Sequence, residues 1–181
     1  GRRGPAQAAF TNAELRELGR MAGVNVAVRP QDAELDPVSE EWLAEEGTFT
    51  ARRNVEVLQA FAAQPPRPGA PREIELRFLT SPVAVRGEGR AEAVEVVRNE
   101  LYRDDGGALR ARAIEGPSEV LEAGLVLRSV GYQAVPLPGV PFDERRGLIR
   151  NDGGRVCGED DAPLPGEYVT RWIKRGPSGG I

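Results

Sequence analysis

Two basic segments at opposite ends of the sequence carry residue types that could bind a phosphate or a flat cofactor. Arg2 and Arg3 lie between glycines and precede a helix-like pattern. Guanidinium groups offer forked donors that match phosphate oxygens, so this pair predicts a phosphate site. The run Trp172–Gly179 has tight-turn residues after an apolar stretch, a backbone that could lie against a charged, planar cofactor. Together the two segments indicate a nucleotide-cofactor enzyme.

Composition narrows the class of protein. The chain has 181 residues, enough for one good core or two modest ones. Its net charge of −4 gives no overall case for nucleic-acid binding, although both ends are basic and the middle is acidic. No apolar run approaches the roughly 20 residues of a membrane span. We expect a cytoplasmic protein, since the single cysteine, Cys157, fits a reducing compartment.

The absence of histidine from the sequence and the lone cysteine exclude several chemistries. Ser-His-Asp and Cys-His nucleophile systems need histidine, and an internal disulfide or a cysteine-built metal site needs more than one cysteine. We therefore predict no metal site and assign no catalytic residue.

The elements that must position the basic segments can be read from periodicity. Thr11 followed by Glu14 has the spacing of a capping box and predicts a helix N-terminus. The alternating run Val24–Val28 predicts a strand. A short helix is expected around Trp42, and Ala51–Ala63 carries apolar residues at helical spacing.

Downstream, the apolar period changes to two. Arg72–Ala113 predicts a β-meander rather than a βαβ unit, with a turn at Asp104–Gly107. Leu125–Val130 resembles a buried strand.

The last part of the sequence is rich in turn signals. Pro136–Pro141 indicates a crossing between domains, and Asn151–Gly154 a hairpin. Asp160–Gly166 is expected to be a surface loop, and Tyr168–Ile173 the last strand.

Five stretches, in order along the chain, resemble the adrenodoxin-reductase-type ferredoxin–NADP reductases. Each motif alone is weak, but their order and spacing make the resemblance specific and extend it from end to end. The matching stretches are Gly1–Thr11, Glu14–Leu18, Arg77–Pro82, Arg128–Tyr132 and Trp172–Gly179.

The resemblance implies a two-domain flavoprotein that binds FAD and NADP, each through a glycine-rich βαβ loop. Neither loop is present in this sequence. We therefore expect a fragment of α/β class, partly Rossmann-like with an inserted β-meander. Residues 1–135 would be the NADP-binding domain without its first βαβ unit, and residues 136–181 the return segment of the FAD-binding domain. The isolated fragment is expected to be inactive.

The resemblance also implies roles for particular residues near the start. Arg2 and Arg3 match the pair that grips the 2′-phosphate of NADP. Glu14 matches an acidic position on the adenosine side of NADP. A capping role for Glu14 is an equal alternative, and the two roles can coexist.

At the other end, the resemblance implies contacts with the flavin. Trp172 matches a tryptophan near the flavin, and Gly179 a glycine whose backbone lies close to FAD and to the nicotinamide. Gly180 and Ile181 fall where the family contacts FAD, although Gly180 replaces a usual β-branched residue.

The function implied is transfer of electrons from NADPH to ferredoxin or another iron–sulfur protein, with no nucleic acid and no membrane span involved. Two alternatives stay open. One is a related flavoprotein with another electron acceptor, against which the Phe78–Pro82 and Trp172–Gly179 segments argue. The other is a non-catalytic nucleotide-binding module that has lost the flavin.

Overall fold

The protein consists of two compact units, Gly1–Val126 and Leu127–Ile181. The computed structural model describes residues 1–129 and 134–175. Together the units form a mixed α/β structure with several small sheets, in agreement with the predicted fold class.

Three helices of the first unit begin at residues whose side chains cap them. The side-chain oxygens of Thr11, Asp36 and Thr48 each accept a hydrogen bond from the backbone N–H three residues on. Such caps satisfy donors that have no partner within the helix. The helical elements are a 3₁₀ turn at Pro5–Gln7, α1 (Asn12–Leu18), α2 (Pro30–Ala33), α3 (Pro37–Glu45) and α4 (Phe49–Ala63).

A parallel pair of strands lies against these helices. β1 (Val24–Val28) pairs with β2 (Arg72–Leu76) in register from Val24 opposite Arg72 to Val28 opposite Leu76. Helices α2 to α4 form the crossover between them, which makes a βαβ unit. The core here consists of Leu15, Val28, Ala33, Leu58 and Phe78.

The prediction that residues from Arg72 onward all belong to a meander is therefore wrong for Arg72–Leu76. Alternation along this strand indicates its buried face but does not identify its partner.

The rest of that prediction is confirmed as an antiparallel sheet built around one long strand. β4 (Ala93–Arg103) pairs along its first half with β3 (Thr80–Arg86) and β6 (Glu119–Glu122), and along its second half with β5 (Leu109–Ala113). The Asp104–Gly107 turn joins β4 to β5, as predicted.

The predicted buried strand Leu125–Val130 is wrong over its described residues. Leu125 and Leu127 are 73% and 81% exposed, and no strand forms there. A short apolar run does not by itself show what covers it. Val130 lies outside the described residues.

The second unit is built from short strands around Ile149, Val156 and Val169. A three-stranded sheet has the order β11 (Pro163–Tyr168), β10 (Arg155–Cys157) and β9 (Asn151–Asp152). The other elements are β7 (Phe142–Asp143), β8 (Leu148–Ile149) and α5 (Trp172–Arg175).

The predicted hairpin at Asn151–Gly154 is confirmed. Asp152 lies opposite Arg155, and the turn is Gly153–Gly154 with φ angles of 59° and 105°. Both values lie in the left-handed region, where glycine is favoured.

Two other predictions for this unit are wrong. Tyr168–Ile173 is not a strand, because β11 ends at Tyr168 and Arg171 adopts a φ of 62° before α5. The Asp160–Gly166 prediction of a surface loop is wrong only from Pro163 onward, where β11 begins. β11 is an edge strand, a position that tolerates proline.

Among residues 1–129 and 134–175, no helix is long and apolar enough to cross a membrane.

Candidate functional site

The backbone of Gly1–Arg3 is fastened to the antiparallel sheet. Its three successive carbonyl oxygens accept hydrogen bonds from the Thr80 N–H, the Asn99 side-chain amide and the Leu79 N–H, at 2.9, 2.9 and 3.1 Å respectively. Each bond satisfies a backbone acceptor and fixes the local chain direction. The two adjacent arginines are thus attached to a backbone that hydrogen bonds fix in place.

The two arginine side chains remain exposed above this backbone. Arg2 Nη2 donates to the carbonyl of Ala111 on β5 at 3.0 Å, which orients its guanidinium group. Arg3 makes no side-chain hydrogen bond or ion pair with any described residue. Since each guanidinium has five N–H donors, most donors of the pair remain available to an anion.

The residue that follows the arginine pair, Gly4, is buried and closely packed by neighbouring side chains. A Cβ at Gly4 would lie 2.9 Å from Oε1 of Gln7 and 3.1 Å from Oγ of Ser39. Pro5 then opens the 3₁₀ turn with a fixed φ. Glycine and proline therefore both help to set the direction in which the arginine pair is held.

An unusual backbone conformation lies directly against the pair. Leu79 has a φ of 48°, in the left-handed region that leucine rarely adopts. Its N–H donates to the Arg3 carbonyl at 3.1 Å, and its carbonyl accepts from the Asn99 N–H at 2.7 Å. Bonds on both sides hold a conformation that costs energy in isolation.

Glu14 is engaged in capping α1, as predicted. Its Oε2 accepts from the Thr11 N–H at 2.9 Å and from Thr11 Oγ1 at 2.7 Å. These hydrogen bonds, the side-chain one first, lower the pKa of the Glu14 carboxyl below its usual range. Among the described residues Glu14 forms no ion pair with Arg2 or Arg3, and its coenzyme contact stays a prediction.

Trp172 is the first residue of α5 in the second unit and is half-exposed. The helix is fastened to the hairpin, because Lys174 Nζ donates to the Gly153 carbonyl at 2.9 Å and Asn151 Nδ2 donates to the Lys174 carbonyl at 3.0 Å. A Cβ at Gly154 would lie 2.9 Å from Lys174 Nζ. The predicted flavin residues Gly179, Gly180 and Ile181 lie outside the described residues.

Sequence reasoning missed Asn99 and Leu79, which act through the backbone of the arginine pair. A signal for Asn99 was present, because it alternates with Val97 and Leu101 on one face of a strand that is otherwise apolar there. No sequence signal marks the left-handed φ of Leu79, since leucine is not a residue that favours it.

Among the described residues, no group of three or more Cys, Asp or Glu side chains is placed to hold a metal ion.

No protein-family model matches the chain. The chain is 48% identical over 181 residues to the NADPH-ferredoxin reductase FprA of Mycobacterium tuberculosis, with 100% of this chain and 38% of the relative covered. It is 35% identical over 190 residues to the mitochondrial NADPH:adrenodoxin oxidoreductase of Bos taurus, with 100% of this chain and 37% of the relative covered.

A solved structure, Mycobacterium tuberculosis FprA in complex with NADPH, superimposes with a TM-score of 0.85 at 47% identity. The match covers 99% of this chain and 37% of the FprA chain. This chain thus spans well under half the length of the relatives it matches. Over its whole length it is similar to a segment of two reductases, the NADPH-ferredoxin reductase FprA and the mitochondrial NADPH:adrenodoxin oxidoreductase.

Proposed function

We propose that this chain is part of an NADPH-dependent, FAD-containing reductase that passes electrons to ferredoxin or another iron–sulfur protein. The observation that carries the proposal is the end-to-end similarity to FprA, 48% identical, combined with an exposed arginine pair on a held backbone. The mycobacterial relative is named a NADPH-ferredoxin reductase, and the bovine one a NADPH:adrenodoxin oxidoreductase. The reaction is expected to take place in the cytoplasm.

Arg2 and Arg3 would bind the 2′-phosphate of NADP. Arg3 has no competing carboxylate among the described residues, and Arg2 uses one donor on the Ala111 carbonyl while keeping the others. Two exposed cations beside the ribose favour a coenzyme with the additional phosphate over one without it. The residues present therefore fit NADP.

Glu14 would contact the adenosine side of the coenzyme while capping α1. Only Oε2 of its carboxylate takes part in the cap. Oε1 accepts no hydrogen bond from the described residues and remains available to a ribose hydroxyl.

Trp172, Gly179, Gly180 and Ile181 would contribute to FAD binding. The exposed part of the Trp172 ring, on a helix held by Lys174, offers a flat apolar surface to an isoalloxazine. When bound, NADPH supplies hydride and FAD converts the electron pair into single electrons, so no general base is required from this chain.

The proposed domain division assigns residues 1–135 to the NADP-binding domain and residues 136–181 to the return segment of the FAD-binding domain. The compact units divide slightly earlier, between Val126 and Leu127, which supports a boundary in this part of the chain.

Charge reversal of the arginine pair tests the proposal. In the full-length gene product, Arg2→Glu/Arg3→Glu is expected to weaken NADPH binding by about 100-fold or more, because two charge-assisted contacts become repulsive. NADH binding should change little. Dissociation constants for both coenzymes, measured by titration of tryptophan fluorescence, give the comparison.

The matched control reverses the charge of another pair of adjacent arginines, Arg52→Glu/Arg53→Glu. These residues lie on the exposed surface of α4, and the change in net charge is the same. The control should leave both coenzymes bound as in the wild type. An equal loss for NADPH and NADH in the Arg2/Arg3 variant would contradict the 2′-phosphate assignment.

A further inference from the structure

Asn99 connects the arginine pair to the middle of β4. Its side chain is 4% exposed, and its two amide hydrogens are directed to the Arg2 carbonyl at 2.9 Å and to Ser81 Oγ at 2.8 Å. Its backbone N–H donates to the Leu79 carbonyl at 2.7 Å. Asn99 thus hydrogen-bonds to Arg2 directly, and also to Leu79, the residue with a left-handed φ that binds the Arg3 carbonyl.

A buried amide in a strand is costly unless its hydrogen bonds are made. Both donors of the Asn99 side chain are used on the segment that carries the arginines and on the strand beside it, β3. An apolar residue, as on the neighbouring same-face positions Val97 and Leu101, would pack in the sheet but could not hold Arg2. The hydrogen bonds, rather than packing, distinguish asparagine here.

The Asn99 bond matters for where the guanidinium groups are held. Without it, the Arg2 carbonyl loses its donor, and the segment is retained through Gly1, Arg3 and the Arg2 side chain alone. Arg2 and Arg3 would then sample more directions, and ordering them would reduce the affinity for a phosphate. Ligands without that phosphate would not be affected.

We propose that Asn99 is a positioning residue for coenzyme preference, which fixes the backbone of Arg2 so that the arginine pair is presented in one geometry to a 2′-phosphate. Asn99 does not touch the coenzyme in this arrangement and acts through Arg2. The inference rests on the proposed 2′-phosphate site.

The test compares two ligands that differ only in the 2′-phosphate, adenosine 2′,5′-bisphosphate and adenosine 5′-monophosphate. In the full-length gene product, Asn99→Ala is expected to weaken binding of the bisphosphate by about tenfold and of the monophosphate by less than about twofold. Isothermal titration calorimetry measures both. If Asn99 had only a structural role, Asn99→Ala would weaken binding of both ligands equally or would lower only the melting temperature.

The matched control is Asn54→Ala. Asn54 is also a buried asparagine, 1% exposed, and its Nδ2 donates to the Phe10 carbonyl at 2.8 Å. This control should lower the melting temperature about as much while leaving the ratio of the two affinities unchanged. A change of the ratio as large as that in Asn99→Ala would overturn the inference.

A second substitution covers the case in which Asn99→Ala does not fold. Asn99→Thr suits a strand and offers one donor where asparagine offers two. It should shift the affinity ratio in the same direction by a smaller factor. An unchanged ratio in a folded Asn99 variant would overturn the inference.

The double variant Arg2→Ala/Arg3→Ala separates this inference from the proposed function. If it removes the preference for the bisphosphate while the Asn99 variants keep it, only the role of Asn99 is overturned. If the double variant keeps the preference, the 2′-phosphate site is misassigned and both proposals fail. Loss of preference in the double variant and in Asn99→Ala supports both.

Discussion

Some arginine side chains of the first unit form an ion pair with a carboxylate, and others do not. Arg29, Arg77 and Arg98 each form an ion pair, whereas Arg2 and Arg3 form none with the described residues. A guanidinium already paired to Asp or Glu has fewer donors to offer a phosphate. Within the described part of the chain Arg16, Arg20 and Arg52 also form no ion pair, so what distinguishes Arg2 and Arg3 is that two unpaired guanidinium groups are adjacent on a hydrogen-bonded backbone.

The contribution of the charged Glu14 carboxylate to stability can be tested by changing the pH. Its pKa is lowered by its hydrogen bonds to Thr11, so its stabilisation is present above the ordinary glutamate pKa, about 4.3, and is lost as pH falls through the lower folded value. Glu14→Gln keeps the capping box without the charge. We expect the wild type to lose more stability than Glu14→Gln between pH 7 and about pH 3.

Urea unfolding at a series of pH values measures this difference. Glu17→Gln is the matched control, because Glu17 lies on the same helix, is exposed and makes no side-chain hydrogen bond with the described residues. Parallel stability profiles for wild type and Glu14→Gln would contradict the capping contribution of the charged form.

Among the elements, the link between α2 and β4 joins the βαβ unit to the antiparallel sheet. Arg98 Nη1 on β4 donates to Oδ1 of Asp32, whose side chain is fully buried, and to the Phe78 carbonyl at 3.1 Å. Oδ2 of Asp32 has no hydrogen-bond partner among the described residues. A buried carboxylate without its cation is strongly unfavourable, so this pair couples the two substructures.

Removing the cation is therefore expected to cost more than removing both charges. Arg98→Ala should lower the free energy of unfolding by about 3 kcal/mol, and Asp32→Ala/Arg98→Ala should lower it by less than Arg98→Ala alone. Urea unfolding of the four proteins in this double-mutant cycle gives the coupling free energy between Asp32 and Arg98.

The reference for this cycle is the exposed cross-strand pair Arg112–Glu100, with 62% and 48% side-chain exposure. Its coupling should not exceed about 1 kcal/mol. Additive effects of the Asp32 and Arg98 substitutions would show that the buried pair does not couple the elements.

Helices and their caps could be predicted from the sequence, because capping residues and helical spacing are local signals. The Thr11 and Glu14 capping box and the helix over Ala51–Ala63 were both found this way. Strand partners could not be predicted, since Arg72–Leu76 alternates in the same way whether it pairs with β1 or β3. The arginine pair was visible, but the bonds that hold it join residues far apart in sequence.

The chain is exposed where the first unit ends and the second begins. Leu125 and Leu127 are 73% and 81% exposed and lie in no strand or helix, next to the division at Val126. Exposed chain between compact units is a preferred site of proteolysis.

Thermolysin, which cleaves before large apolar residues, is expected to cut first near Leu127 and to release fragments that correspond to the two units. The variant Leu125→Asp/Leu127→Asp should delay this cut, as followed by mass spectrometry of limited digests. A first cut inside α4 or β4 instead would show that the units do not behave as separate compact bodies.

The anchoring of Arg2 has a consequence for synthesis on the ribosome. The residues that hold its segment, Leu79, Asn99 and Ala111, are translated much later, and the bond from Arg2 to Ala111 spans 109 positions. The nascent arginine pair therefore gains its full set of contacts only after β5 has left the exit tunnel. Arg2 and Arg3 are therefore translated well before the residues that hold them in one geometry.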